Sequence, residues 1–196
     1  MEDTGDKKKA IFESTLELIR DHGFHGAPMS LVAKNAGVAA GTIYHYFESK
    51  DKLICELYAY NRERLMSVIE SALMEDNSYK EKFFNIWTNL YGFYVQEPNV
   101  LIFFEQFVNS PFNVNKYPNY TRSKLYNFFI EGIKKDVIKS VKPEILMVLV
   151  MGSINSTAKM HSFGKIPLTK ADLHRIAEIM WDGIACPEVK SSGKKI

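Results

Sequence analysis

The chain has 196 residues, with 25 Lys and Arg against 23 Asp and Glu, a net charge of +2, 46% hydrophobic residues and 13% aromatics. A chain of this length buries roughly 70% of the surface its unfolded form exposes, so no disulfide or metal is needed to hold a core; Cys55 and Cys186 carry no C-x-x-C spacing. The lysine-rich start lacks the apolar stretch of a signal or transit peptide, and the longest apolar run, Ile145 to Met151, falls far short of the ~18 residues that cross a bilayer. A cytoplasmic protein in a reducing compartment is therefore expected, with no membrane partner. Residues 1–60 carry seven basic and nine acidic side chains, so any contact with nucleic acid has to come from particular positions rather than from bulk charge.

Apolar residues recur at helical spacing along the whole chain and alternating β-branched runs are missing, which predicts an all-α fold. The first helix is expected over about Lys8 to His22, burying Ile11, Thr15, Leu18 and Ile19, with Gly23 as the left-handed residue after its end. Pro28 opens a short helix, Met29 to Asn35, which buries Val32 and Ala36 and stops at Gly37. A third covers about Ala40 to Phe47. Ser49 caps a long fourth helix reaching Met74, with Asp51 in its first turn. Further helices are expected over Ser78 to Gln96 and from Pro98 to near Ser110. A loop through Tyr117-Pro118 leads to one over Asn119 to Ser140, and Pro143 starts another that runs to Phe163. Thr169, with Asp172 three residues on, caps a last helix ending near Ala185. The tail, residues 188–196, is expected to be disordered.

Two helices of about two turns, separated by Gly37-Val38, form a helix-turn-helix pattern, the unit that sets its second helix in the major groove of DNA. Ala33 and Ala36 let the two helices cross closely, and Val38 and Ile43 are the apolar pegs that fix their angle. Thr42 and Tyr44 offer hydroxyls to phosphate oxygens, and Lys50 stands where its ammonium and a helix dipole act on one anion. The pieces Gly23-Phe24, Val32-Ala33, Ala36-Gly37-Val38, Gly41-Thr42-Ile43-Tyr44, Tyr46-Phe47 and Ser49-Lys50-Asp51-Lys52-Leu53 strongly resemble the DNA-binding domain of the TetR (tetracycline repressor) family of bacterial transcription regulators, over about residues 8–55.

That resemblance implies a helix-turn-helix DNA-binding domain over residues 1–48 and a helical regulatory, ligand-binding and dimerisation domain over residues 49–187. It implies backbone contacts at Thr42, Tyr44 and Lys50, and base contacts at Ser30, Ala40, Gly41 and His45. Gly41 would allow close approach, Ala40 would touch a thymine methyl, and His45 would donate to a purine. The chain departs from the family pattern twice. Pro28-Met29 stands where the family often has paired threonines, and Ala39 stands where a serine commonly caps the third helix. Modest direct readout is expected, with shape and phosphate contacts carrying more. Tyr46 and Phe47 are expected in the core, and Lys7-Lys8-Lys9 as a solvated arm.

Rings crowd residues 83–129 too densely for one helical face, which leaves two readings open: several helices packed around them, or a cavity. Family members hold a small effector in this domain. The resemblance therefore implies an apolar or aromatic pocket, with Trp87, Tyr91, Phe104, Phe107, Tyr126 and Asn155 as its expected lining. The last two helices are apolar over much of their circumference. Leu146, Val150, Ser153, Ile154 and Thr157 of one and Leu173, Ile176, Met180 and Trp181 of the other are expected to pair across a two-fold axis, where the family dimerises. The alternative is that they close the monomer's own core.

No enzyme, cofactor or metal site is expected: His161 has no ligand partner at metal spacing, and Ser153 and Ser156 lack the context of a nucleophile elbow. The expected function is a homodimeric regulator, a repressor released from a palindromic DNA operator by a small apolar or aromatic effector. Two other readings stay open. One is a helical small-molecule binder or enzyme that keeps the N-terminal domain as scaffold; the other is a DNA-binding module without an effector.

Overall fold

The computed structural model describes residues 4–74, 76–113, 123–164 and 166–187. Among them the regular elements are nine α-helices: α1 Thr4–His22, α2 Met29–Asn35, α3 Ala40–Tyr46, α4 Lys50–Met74, α5 Tyr79–Gln96, α6 Pro98–Val108, α7 Lys124–Lys134, α8 Pro143–Ser162 and α9 Lys170–Ile184. The all-α reading holds. The expected tail at residues 188–196 and the rings of Tyr117 and Tyr120 lie outside the described residues.

Local signals account for most helix ends. Gly23 and Gly37 both take positive φ, 66° and 68°, a region that carries little penalty only for glycine. After α2 the Val38 amide donates to the Ala33 carbonyl at 3.0 Å, closing the chain around Gly37 in a Schellman-type reversal. The Ser49 hydroxyl accepts from the Lys52 amide at 3.2 Å, and Ser78 and Glu81 cap α5 reciprocally.

Two expectations need correction. α1 starts at Thr4 rather than Lys8, so Lys7-Lys8-Lys9 is part of the helix and not an arm. Lys8 Nζ pairs with Glu56 at 2.9 Å and lies 5.6 Å from the ring centres of Phe12 and Phe47. The helix predicted to reach Ser140 ends instead at Lys134. Asp136 turns to a φ of 53°, and the chain then forms a bridge, Lys139 N donating to the Ile184 carbonyl at 2.8 Å and Cys186 N to the Val137 carbonyl at 2.9 Å. A Cβ at Gly132 would lie 2.5 Å from Ile138 Cδ1, so a larger residue there would have to displace the Ile138 side chain.

The chain forms two compact units: Met1–Ser67 with Phe93–Pro118, and Val68–Gly92 with Asn119–Ile196. The expected boundary at residues 48–49 falls inside the first of them. Its core gathers Ile11, Ile19, Val32, Ile43, Phe47 and Leu57 with Val100, Phe103 and Phe107 of α6. Fully burying such a side chain contributes roughly 1.5–3 kcal/mol. Polar bonds fasten α6 to α1: Gln106 Nε2 donates to the Ile19 carbonyl at 3.2 Å and Arg20 Nη1 to Asn99 Oδ1 at 3.0 Å. α4 carries a fully buried Asn61, which donates to Leu57 O at 3.0 Å and accepts from Arg64 at 3.1 Å; Arg64 pairs in turn with Glu97.

In the second unit Phe83 packs on Trp181 at 5.4 Å. Burial here corrects the expected dimer surface. Leu146, Val150, Ile154 and Thr157 of α8 and Trp181 of α9 are buried within the single chain, so these five belong to its own interior. Ser153 bonds Trp87, and Leu173, Ile176 and Met180 are partly buried. The large apolar side chains left outside are Ile145, Val148 and Leu149 of α8 and Ile179 of α9, with Val148 and Ile179 more than 60% exposed. α8 is apolar on two faces, and periodicity cannot say which of two apolar faces turns inward.

Candidate nucleic-acid interface

α2 and α3 have seven residues each, and neither has a side-chain hydrogen bond at its N-cap, Pro28 or Ala39. Helices this short are marginal alone, so packing must hold them. Val32, Ala33 and Met29 of α2 and Ile43 of α3 are buried, and the Ser14 hydroxyl of α1 donates to the Val32 carbonyl at 3.0 Å. Phe47, just past α3, is fully buried, with half-buried Tyr46 beside it at a ring distance of 6.4 Å.

With Ile43 and Phe47 inward, one turn apart, the opposite side of α3 must face out. Ala40, Gly41, Tyr44 and His45 are all exposed there, Tyr44 by 56%. Thr42 is half-buried on the flank, and Ser30 is exposed at the second position of α2. Nothing lies within 4 Å of where a Cβ on Gly41 would be, so another backbone can approach closely at that point. Ala40, Gly41, Tyr44 and His45 thus lie on one outward strip of α3, with Thr42 at its edge.

Lys50 is placed differently. Its ammonium folds back onto the Phe24 carbonyl in the α1–α2 connection and is part-buried. Burial pushes its pKa down, while the neighbouring Asp51 acts the other way. Sequence reasoning missed this contact, along with Glu56 as the partner of Lys8 and Gln106 as the tie to α1. Residues 26 to 87 positions apart meet in these pairs, and no spacing rule connects them.

The six residues expected to line a ligand pocket are divided between the units. Phe107 stacks on Tyr58 at 4.2 Å, and Phe104 meets the same ring edge-on at 5.7 Å; both belong to the first unit's packing. Tyr126 is partly buried in the first turn of α7, its hydroxyl donating to Glu144 at 2.8 Å. Trp87 and Tyr91 stack on each other in α5, and Asn155 of α8 lies in the same unit. Trp87 Nε1 donates to Ser153 Oγ at 3.0 Å, and the Tyr91 hydroxyl meets His161 Nδ1 at 2.8 Å. Asn155 Oδ1 and Ser162 Oγ are buried with no hydrogen-bond partner among the described residues. Of the two readings of the crowded rings, the described contacts supply packed helices in each unit.

A short helix seated by two buried apolar residues behind a left-handed glycine, with hydroxyl, imidazole and glycine on its free side, is the architecture of a helix-turn-helix transcription regulator. The sequence model of the bacterial regulatory proteins of the tetR family matches residues 11–57, and that of the tetracyclin repressor-like C-terminal domain matches residues 78–185. The chain belongs to the TetR family, whose members are regulators and not enzymes. An HTH-type transcriptional regulator of Haemophilus influenzae is 26% identical over 179 residues, 91% of this chain and 96% of that one. Among solved structures, a TetR family regulator from Marinobacter aquaeolei VT8 superposes with a TM-score of 0.86 at 22% identity, covering 93% of this chain and 97% of that one. The regulator FadR from Bacillus subtilis, solved in complex with stearoyl-CoA, has a TM-score of 0.66 at 20% identity, covering 89% of this chain and 95% of that one. At these identities the two structures support the fold alone. No helix of the described residues is long and apolar enough to cross a membrane.

Proposed function

We propose that the chain acts as a homodimeric, ligand-responsive repressor that binds a roughly palindromic DNA operator and leaves it when a small molecule occupies its regulatory domain. The exposed strip of α3 carries this reading. Ala40, Gly41, Tyr44 and His45 face bases or backbone, Thr42 and Ser30 contact phosphates from the flanks, and Lys50 swings from the Phe24 carbonyl to a phosphate oxygen on binding. In functional terms residues 1–48 read DNA and residues 49–187 regulate, and both act in the cytoplasm.

The dimer forms on the outward side of α8 and α9, through Ile145, Val148, Leu149 and Ile179. The open space at Gly152 and Gly183 supports this, because it lets a second backbone approach closely. A two-fold axis there presents two α3 helices to successive major grooves.

The effector is apolar or aromatic and meets Trp87, Tyr91 and Asn155. The orphaned acceptor on Asn155 supports this reading, because a buried oxygen without a donor is destabilising by roughly 1–3 kcal/mol and a ligand's N–H or O–H would relieve it. The fatty-acyl ligand of the B. subtilis regulator fits an effector with a long apolar part.

Titration of the full chain against DNA from upstream of its own coding region tests the proposal. Specific binding that weakens steeply with salt is expected, with one dimer per site. A protein that stays monomeric at micromolar concentration, or a Tyr44→Ala variant that binds the best site as tightly as the parent, overturns it.

A further inference from the structure

Beside Lys50, in the first unit, lies a cleft of about 670 Å³, well inside the roughly 300–1,000 Å³ range of small-molecule sites. One wall is apolar: the Phe24 and Phe112 rings, whose centres are 5.0 Å apart, and Pro111. The other is the end of α6, with Glu105, Gln106, Asn109 and Ser110. The side chains on that end each donate one bond to a backbone carbonyl, Gln106 to Ile19 at 3.2 Å, Asn109 to Glu105 at 3.4 Å and Ser110 to Phe107 at 2.8 Å.

His25 completes the lining with an exposed imidazole, and Lys50 is the ammonium of the cleft. An ammonium has three N–H groups; one goes to the Phe24 carbonyl, and no carboxylate among the described residues makes an ion pair with it. A carbonyl offers a part-buried cation only a partial charge, and a carboxylate makes a shorter, charge-assisted bond about twice as strong. One ammonium beside the Phe24, Pro111 and Phe112 wall suits an acid with a single carboxylate and an apolar body.

We propose that this cleft is a small-molecule site separate from the effector site on α5 and α8. It takes an apolar or aromatic monocarboxylate, whose body packs on Phe24, Pro111 and Phe112 and whose carboxylate takes Lys50 from the Phe24 carbonyl. The occupant competes directly with DNA, since the same ammonium cannot neutralise a bound acid and a phosphate at once. Only this consequence rests on the DNA-binding reading; occupancy of the cleft does not.

The test uses 4-phenylbutyrate and its uncharged analogue 4-phenylbutyramide on the full-length, isotope-labelled chain, read by amide chemical shifts without DNA. The acid is expected to shift Phe24, Lys50, Asn109 and Phe112 saturably at millimolar concentration or below, and the amide to bind about fivefold or more weakly, a difference of about 1 kcal/mol. Lys50→Met should abolish the preference for the acid. Phe112→Ala should weaken both ligands while leaving DNA affinity intact, and its amide spectrum shows whether it is folded. In DNA titrations the acid should weaken binding by the parent and not by Phe112→Ala, with the salt slope falling by about one phosphate contact. Equal binding of acid and amide overturns the proposal, as do unchanged cleft amides at saturation or unchanged DNA affinity with the cleft filled. Shifts confined to α5 and α8 overturn it as well while leaving the effector reading standing; DNA affinity too weak to measure in the parent overturns the DNA-binding reading instead, and the cleft's occupancy is then decided by the shifts.

Discussion

At the start of α9 the Thr169 hydroxyl accepts from the Asp172 amide at 3.2 Å, and the Asp172 carboxylate accepts from the Thr169 amide at 2.8 Å. At the start of α3 the corresponding residue is Ala39, and no side chain caps the helix. α9 has fifteen residues and a side chain at each end of its reciprocal cap; α3 has seven, and its first turn is closed only by backbone, the Thr42 amide donating to the Ala39 carbonyl at 2.8 Å. The difference separates a helix that supports structure from one that offers a surface. A helix that must leave one side and its leading edge open cannot stabilise itself there, so its order comes from Ile43 and Phe47 underneath and from Gly37 behind.

If that is right, the first place to break it is the seat of α3. Ile43 is fully buried, and Ile43→Ala should destabilise the protein by about 2–5 kcal/mol, seen as a lower denaturation midpoint with DNA affinity lost alongside. Tyr44→Ala on the free side should leave that midpoint nearly unchanged and weaken DNA binding about tenfold, the loss of roughly one hydrogen bond's worth of free energy. The two variants together separate the seat from the surface.

Gly37→Ala probes the turn. Its φ of 68° disfavours a Cβ, yet nothing lies within 4 Å of where that carbon would sit, so the effect is conformational alone, about 1 kcal/mol. The smallest effect belongs to α9, where Thr169→Ala should destabilise by about 1 kcal/mol or less. Its pH dependence sharpens the contrast. The bonds from Thr169 hold the Asp172 carboxyl below the ordinary carboxylate range. The stability it contributes is present above the unfolded pKa and disappears as pH falls through the lowered folded value. In Thr169→Ala, which loses the hydroxyl but keeps the backbone N–H bond to Asp172, that part of the acid sensitivity should shrink, while substitutions at Ala39 should leave it unchanged.

The residues that punctuate the chain were legible without coordinates. Gly23, Gly37, Pro98, Pro143 and the Thr169–Asp172 pair each act within four positions, and each marks a helix boundary within a few residues of its observed place. The outward strip of α3 was legible as well, because the burial of Ile43 fixes by periodicity which neighbours must face away. The packing of Lys8 was not: it lies in α1 and pairs with Glu56, and nothing near residue 8 in sequence announces residue 56. The expected ligand lining divides between the two units for a related reason. Ring density says that aromatics pack together but not in which unit, and Phe104 and Phe107 pack with Tyr58 rather than beside Trp87.

What the sequence determined by itself is the all-helical class, the family, and the side of the recognition helix that is free, since each follows from local periodicity and short-range motifs. The tertiary structure decided which of two apolar faces of α8 turns inward, where the rings divide, and that Lys50 rests on the Phe24 carbonyl at the edge of a cleft. Those outcomes depend on side chains brought together from distant positions, whose mutual burial has no signature at any fixed spacing along the chain.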